Sequence, residues 1–302
     1  MEYVAILIGA PQKNTLTREI VQSVTLILPG NPRPRWLSPG SAAEFTFHDE
    51  GGDWGALSDL RATLYGLPID IAILPAAETR RKKLLIADMD STIIGQECID
   101  EIAEEVGKGR QVSEITEAAM RGGLDFRSAL RARIRLIEGL NEAALAQVAD
   151  KRLHLNPGAR TLVQTMRANG AYCALVSGGF TFFTKIMAKR AGFNDHRGNE
   201  LLFSNGLLTG VADPVLGREA KREALEHYRD VLNIKDTDTM AVGDGANDLD
   251  MLEAANLGVA FHAKPLVAED ARVSINNGDL TALLYLQGYS DDEFINDDEF
   301  IK

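Results

Sequence analysis

Residues 83–92, KLLIADMDST, set a short apolar run directly before two aspartates two positions apart. The run is too short for an isolated helix, and polar residues end it abruptly. It reads as a buried strand whose exit carries carboxylates. The pattern recurs at 172–177 (YCALVS) and 238–244 (DTMAVGD), each followed by glycine-containing turns and helical stretches. Apolar strands alternating with helices predict an α/β unit around a parallel sheet from Lys83 onward. In such sheets ligands bind outside the carboxyl ends of the strands, so the strand-end residues are the first candidates for chemistry.

Upstream, 3–9 reads as a strand, 15–27 as a helix, 43–49 as a strand, 54–65 as a helix and 67–73 as a strand. The Pro- and Gly-rich segment 28–41 holds a further strand near Arg35–Leu37, which completes a βαββαβ layout in a small α+β unit. The basic run Arg80-Arg81-Lys82-Lys83 reads as a solvated junction, dividing a first domain, 1–80, from a second, 81–302. Between the first strand of the second domain and its next βα unit, 98–154 carries helical periodicity without strand signals. It predicts an inserted helical bundle, placed to act as a lid. The tail repeats DDEFI at 291–295 and 297–301, and a frayed or partner-packed end is expected.

At 302 residues the chain is long enough for two cores, and 45% hydrophobic with 25% charged residues is the balance of a folded globular protein. A net charge of −12 argues against sequence-independent binding to nucleic acid or an anionic membrane, and requires a locally positive pocket for any anionic substrate. Two cysteines, Cys98 and Cys173, exclude a disulfide framework. No run of eighteen apolar residues occurs and the start lacks signal-peptide features, so a cytoplasmic location is the default expectation.

Four strand-end or helix-start signals carry the chemistry. Asp88 and Asp90 can divide labour, one carboxylate attacking phosphorus and the other moving a proton. Ser177-Gly178-Gly179-Phe180 offers a hydroxyl and free N–H groups for a phosphate. GDGAND at 243–248 presents Asp244, Asn247 and Asp248, hard oxygen donors suited to Mg²⁺. Lys221, near the start of a helical segment, would supply a fixed positive charge beside a phosphoryl group.

In this order, DMDST, SGGF, a lysine and GDGAND resemble the haloacid dehalogenase superfamily, specifically its phosphoserine phosphatases, over about 83–290. The resemblance implies a Rossmann-type parallel sheet with the nucleophile on its central strand and an inserted helical cap. It implies Asp88 as nucleophile and Mg²⁺ ligand, Asp90 as general acid/base and ligand through its backbone carbonyl, and Asp244 as metal ligand. Ser177, Gly178 and Lys221 would bind phosphate, with Asn247 and Asp248 in support. In the cap it points to Glu97, Met120, Phe126 and Arg133, with Arg133 clamping the substrate carboxylate and Glu97 its ammonium. The activity implied is Mg²⁺-dependent hydrolysis of O-phospho-L-serine through an aspartyl-phosphate, the last step of serine biosynthesis. Residues 1–80 look like a divergent ACT-like, ferredoxin-like domain, which in that family can bind an amino acid or mediate dimerisation. Another phosphomonoester or a phosphotransfer reaction is the nearest alternative. A non-catalytic amino-acid sensor is the rival of a different class, and the intact Asp88, Asp90, Lys221 and Asp244 set speaks against it.

Overall fold

The first strand, β1 (Glu2–Gly9), is apolar at almost every position because both of its faces are buried. Tyr3, Ala5 and Leu7 face one cluster, with α1 (Arg18–Ile27) and α2 (Asp53–Thr63), whereas Val4, Ile6 and Ile8 belong to the core of the following unit. Alternate residues of a strand point to opposite faces, so a strand covered on both sides loses its polar/apolar alternation. With β2 (Pro34–Ser38), β3 (Ala42–His48) and β4 (Ile69–Pro75), β1 forms an antiparallel sheet of order β2-β3-β1-β4. This is the βαββαβ layout. The helix expected from residue 15 begins at Arg18, because Thr17 caps it by accepting from the Ile20 N–H. The strand expected from 67 begins at Ile69, after Leu67 and Pro68 have closed the preceding turn.

The computed structural model describes residues 1–11, 14–49, 53–76, 79–120 and 123–295, and of residues 53, 54, 120 and 266 only the backbone. The second sheet begins with β5 (Leu84–Ala87), every residue of which is fully buried. Four cap helices follow: α3 (Cys98–Glu105), α4 (Gly109–Met120), α5 (Phe126–Leu136) and α6 (Glu142–Lys151). Asp125 caps α5 and Asn141 caps α6. The chain returns through α7 (Ala159–Ala168) to β6 (Tyr172–Phe180), α8 (Thr181–Ala191) and β7 (Asp195–Asn199).

A hairpin that the sequence reading did not anticipate comes next, β8 (Leu201–Ser204) and β9 (Leu207–Val211), turning on Asn205-Gly206 with both residues at positive φ. Asn-Gly is the strongest short hairpin signal, so it was legible. The hairpin ties into the cap, as the Gly139 N–H donates to Leu208 O and the Leu208 N–H to Leu140 O. Then come α9 (Glu219–Val231), β10 (Thr239–Gly243), α10 (Leu249–Ala254), β11 (Leu257–Phe261), α11 (Pro265–Asp270), β12 (Val273–Ile275) and α12 (Ala282–Leu286). The strand order is β12-β11-β10-β5-β6-β7, all parallel, with β5 inside the sheet.

The helix α12 is buried along its whole length, as an all-apolar helix must be, and joins the two sheets. Each fully buried aliphatic side chain at such a joint contributes on the order of 1.5–3 kcal/mol relative to exposure. The basic run is a solvated junction only at Arg81 and Lys83, which are exposed, whereas Arg80 and Lys82 turn inward. Arg80 and Arg35 both pair with buried Glu44 at 2.6 Å, and Arg80 also donates to the Tyr285 and Leu286 carbonyls. Lys82 is buried and donates to Thr79 O, Thr237 O and Asn256 Oδ1. The expected frayed tail is corrected likewise for its first DDEFI: Asp291 accepts from Tyr285 Oη, Glu293 pairs with Arg81, and the Ile295 N–H donates to Thr165 Oγ1. The copy at 297–301 lies outside the described residues. Among the described residues no helix is long and apolar enough to cross a membrane.

Candidate active site

Asp88 leaves β5 at the carboxyl edge of the sheet, 5% exposed, with its Oδ1 accepting from the Met89 N–H at 2.8 Å. Its Oδ2 lies 2.7 Å from Lys221 Nζ, which lies 2.6 Å from Asp248 Oδ1. Lys221 reaches this point from the first turn of α9, whose apolar face is buried under β5 and β6. Asp248 Oδ2 accepts from the Gly245 N–H at 3.0 Å. A Cβ on Gly243 would lie 2.3 Å from Asp248 Cγ, so only glycine lets β10 end against this carboxylate. Asp244 Oδ1 accepts from Thr92 Oγ1 at 3.1 Å. Carboxylate oxygens of Asp88, Asp244 and Asp248 fall within 4.8 Å of one another.

Asp90 stands in the wide turn after β5, with extended backbone, followed by Ser91 in the left-handed region at φ 56°. Its Oδ1 accepts from the Cys98 N–H at 3.0 Å, and so caps the first cap helix, and its Oδ2 accepts from Ser177 Oγ at 3.3 Å. Ser177 and Gly178 belong to the irregular last residues of β6 rather than to a helix start, and the Gly179 N–H is taken by Ser177 Oγ at 2.8 Å. A Cβ on Gly179 would sit 2.9 Å from Asp90 Oδ2, which explains the glycine by close approach.

From the cap, the Phe126 ring lies over Gly178, with Cζ 3.1 Å from where a Cβ would sit. Glu97 accepts from Ser91 Oγ at 2.7 Å. Arg133 reaches Thr116 Oγ1 with Nη1 at 3.5 Å, while its Nε is buried without a hydrogen-bond partner among the described residues. The Asn247 amide folds back over Gly245. Met120 ends α4, but its side chain lies outside the described residues.

The electrostatics are those of crowded carboxylates. Burial, and then the Asp248 charge, push Asp88 well above the usual carboxylate range against the pull of Lys221. Burial raises Asp90 too, opposed by its bond from Cys98. Burial raises Asp244, with Asp248 adding to the effect. Burial alone would lower Lys221, but Asp88 and Asp248 outweigh it and hold the ammonium above its ordinary value. Glu97 keeps solvent contact, yet the surrounding protein and the Asp90 charge push it up to about 7. Burial lowers Arg133 despite Asp100, Glu97 and Asp90 nearby. The cluster has more negative charge than Lys221 offsets, and its donors are all oxygen. That composition fits a hard divalent cation.

Three supporting residues escaped the sequence reading. Thr92 and Ser91 were in view within DMDST, but nothing there revealed their partners, Asp244 and Glu97. Asn156, which donates to Thr92 O at 2.7 Å, follows a cap helix with no signal of its own.

The family model for haloacid dehalogenase-like hydrolase matches residues 85–253. A phosphoserine phosphatase from Albidiferax ferrireducens is 47% identical over 210 residues, covering 68% of this chain and 89% of that protein. A HAD-family hydrolase from Salmonella enterica serovar Typhi superposes with a TM-score of 0.84 at 32% identity, covering 94% of this chain and 98% of the other. A substrate-bound phosphoserine phosphatase complex superposes with a TM-score of 0.63 at 38% identity, over 68% of this chain and 97% of that one.

Proposed function

Because this chain belongs to the haloacid dehalogenase-like hydrolase family, we propose that its aspartate centre hydrolyses O-phospho-L-serine to L-serine and phosphate, as a phosphoric monoester hydrolase. The observation that carries the substrate is Arg133, a cap cation that makes no ion pair among the described residues and on which the charges of Asp100, Glu97 and Asp90 act. Its one hydrogen bond among the described residues, from Nη1 to Thr116 Oγ1, is long at 3.5 Å, which leaves the guanidinium donors for a substrate carboxylate.

In this reading Asp88 attacks phosphorus, and the P–O bond to the serine oxygen breaks as that oxygen takes a proton from Asp90. Water, giving a proton back to Asp90, then cleaves the aspartyl-phosphate and restores Asp88. The raised Asp90 carboxyl suits proton donation in the first step. Lys221, Ser177 and Gly178 hold the phosphoryl oxygens, with Asn247 in support. Glu97 receives the ammonium, and Met120 and Phe126 close the cap over the substrate. Asp88, Asp244 and the Asp90 backbone carbonyl would hold Mg²⁺, backed by Asp248, and the ion would offset phosphoryl charge.

We take residues 1–80 as an ACT-like unit and 81–302 as the phosphatase unit with its cap at about 98–154. The separate antiparallel sheet and its own apolar cluster support the division. The reaction belongs, on this reading, to the last step of serine biosynthesis in the cytoplasm. It involves no nucleic acid or membrane, and a homodimer is checked by light scattering. The decisive test is phosphate release from phosphoserine, phosphothreonine, a sugar phosphate and an aryl phosphate, with Mg²⁺ and with EDTA. A metal-dependent preference for phosphoserine is expected; preference for another ester would overturn the cap assignment, and inactivity on all would favour an amino-acid sensor.

A further inference from the structure

Asp70, the second residue of β4, is 4% exposed and pairs with no lysine, arginine or histidine among the described residues. Its carboxylate instead accepts from the backbone N–H groups of Asn276 at 2.9 Å, Asn277 at 3.0 Å and Gly278 at 2.7 Å, and from Asn277 Nδ2 at 2.9 Å. Successive N–H groups converging on one point form an anion-binding nest. Here the N-terminal sheet supplies the anion.

The nest follows β12 directly, at the carboxyl edge of the parallel sheet. Two paths lead from it towards Asp244, the first ending in the charge of Lys264 and not in a contact, the second in a hydrogen bond. In the first, Gly278 O accepts from His262 Nε2 at 2.8 Å, and the His262 N–H donates to Ile275 O at 2.8 Å. His262, in the left-handed region at φ 47° and stacked on Phe261, starts the loop carrying Lys264, whose charge acts on Asp244. In the second, the Leu280 N–H donates to Pro157 O, Asn156 Nδ2 donates to Thr92 O at 2.7 Å, and Thr92 Oγ1 donates to Asp244 at 3.1 Å.

We propose that Asp70 is a positioning residue for the aspartate centre: the N-terminal unit orders the 276–278 loop, and that loop holds the two segments that support Asp244. The proposal rests on Asp244 being a working residue of the site. It makes the N-terminal unit a structural part of the catalytic one, not an appendage. A second polar cluster at the same interface, Glu44 with Arg35 and Arg80, contacts the segment around 285–288 and, among the described residues, makes no hydrogen bond to 262–264 or 156–157. It is the internal control.

The test uses the full chain with three substitutions, Asp70→Asn, Glu44→Gln and His262→Phe. The readouts are amide hydrogen exchange, calorimetric Mg²⁺ binding and steady-state kinetics. Asp70→Asn should speed exchange at 262–264 and 276–280 and weaken Mg²⁺ binding and kcat/KM by roughly ten-fold, the usual scale for residues behind metal ligands. Glu44→Gln should lower the unfolding midpoint with Mg²⁺ affinity unchanged. His262→Phe, which keeps the stacked ring but loses the donor, should reproduce the Asp70→Asn loss in Mg²⁺ affinity and also covers the case in which Asp70→Asn does not fold. Unchanged Mg²⁺ affinity in a folded Asp70→Asn, or in His262→Phe, would overturn the proposal. Exchange and calorimetry do not depend on phosphoserine being the substrate, so a failure of that reading is separable.

Discussion

Lys221 Nζ lies 2.7 Å from Asp88 Oδ2 and 2.6 Å from Asp248 Oδ1, with its side chain 3% exposed. A lysine this deep is stable only because two carboxylates surround it, and they tolerate burial only because it is there. Replacing it with methionine should cost about 3–5 kcal/mol in EDTA, since the two carboxylates would be left buried without their cation. Urea denaturation measures this, and added Mg²⁺ should recover part of the loss. A cost under about 1 kcal/mol would mean that the carboxylates do not depend on Lys221.

Asp88→Asn should lower phosphoserine turnover by at least about 10³-fold while the circular dichroism spectrum stays that of the parent chain. Asparagine keeps the shape and cannot form the acyl phosphate. Retained turnover would remove the covalent mechanism.

Arg133→Ala should lower kcat/KM for phosphoserine by roughly 10²-fold, and for an aryl phosphate far less, because only the first substrate has a carboxylate to lose. Equal losses on both would mean that Arg133 serves the cap and not the substrate.

Glu97 is pushed up to about 7, so it is mostly a carboxylate above that pH and mostly neutral below it. An ammonium partner needs the carboxylate. KM for phosphoserine should therefore rise as pH falls through about 7, over and above any change seen with an aryl phosphate. Glu97→Gln should raise KM at high pH and flatten this limb. A limb unchanged by the substitution would assign it to another group.

Mg²⁺ bound to Asp88 and Asp244 should stabilise the folded chain by about 2.7 kcal/mol at a hundred-fold excess over its dissociation constant. Thermal unfolding with Mg²⁺ and with EDTA checks this. Asp244→Asn should reduce the difference between the two.

The local order of KLLIADMDST, YCALVS and DTMAVGD was enough to predict the parallel sheet and to put Asp88, Asp90, Ser177 and Asp244 at strand ends. Burial on both faces writes itself as an unbroken apolar run, and a strand end is where that run must stop. Lys221 was harder, because a lysine on a helix is ordinarily solvated and only its partners from β5 and β10 make it otherwise. Thr92 and Asn156 were not assignable at all, since each acts by a side-chain hydrogen bond to a group brought near by the chain's return, and Ser91 meets Glu97 six residues on only because of the left-handed turn at Ser91 itself.

The sequence by itself determined the α/β class, the helical insertion and the residue types of the centre, all of which rest on periodicity and short-range order. The tertiary structure alone decided that α12 seals the N-terminal sheet, that half-buried Arg80 and buried Lys82 are tied into a joint, and that Asp70 fills a nest at 276–278. The hydrogen bonds from Arg80 to Leu286, Lys82 to Thr237 and Gly278 to Asp70 join residues 206, 155 and 208 positions apart. Which carboxylate meets which amide across such a distance depends on how whole sheets pack, and no local pattern encodes that.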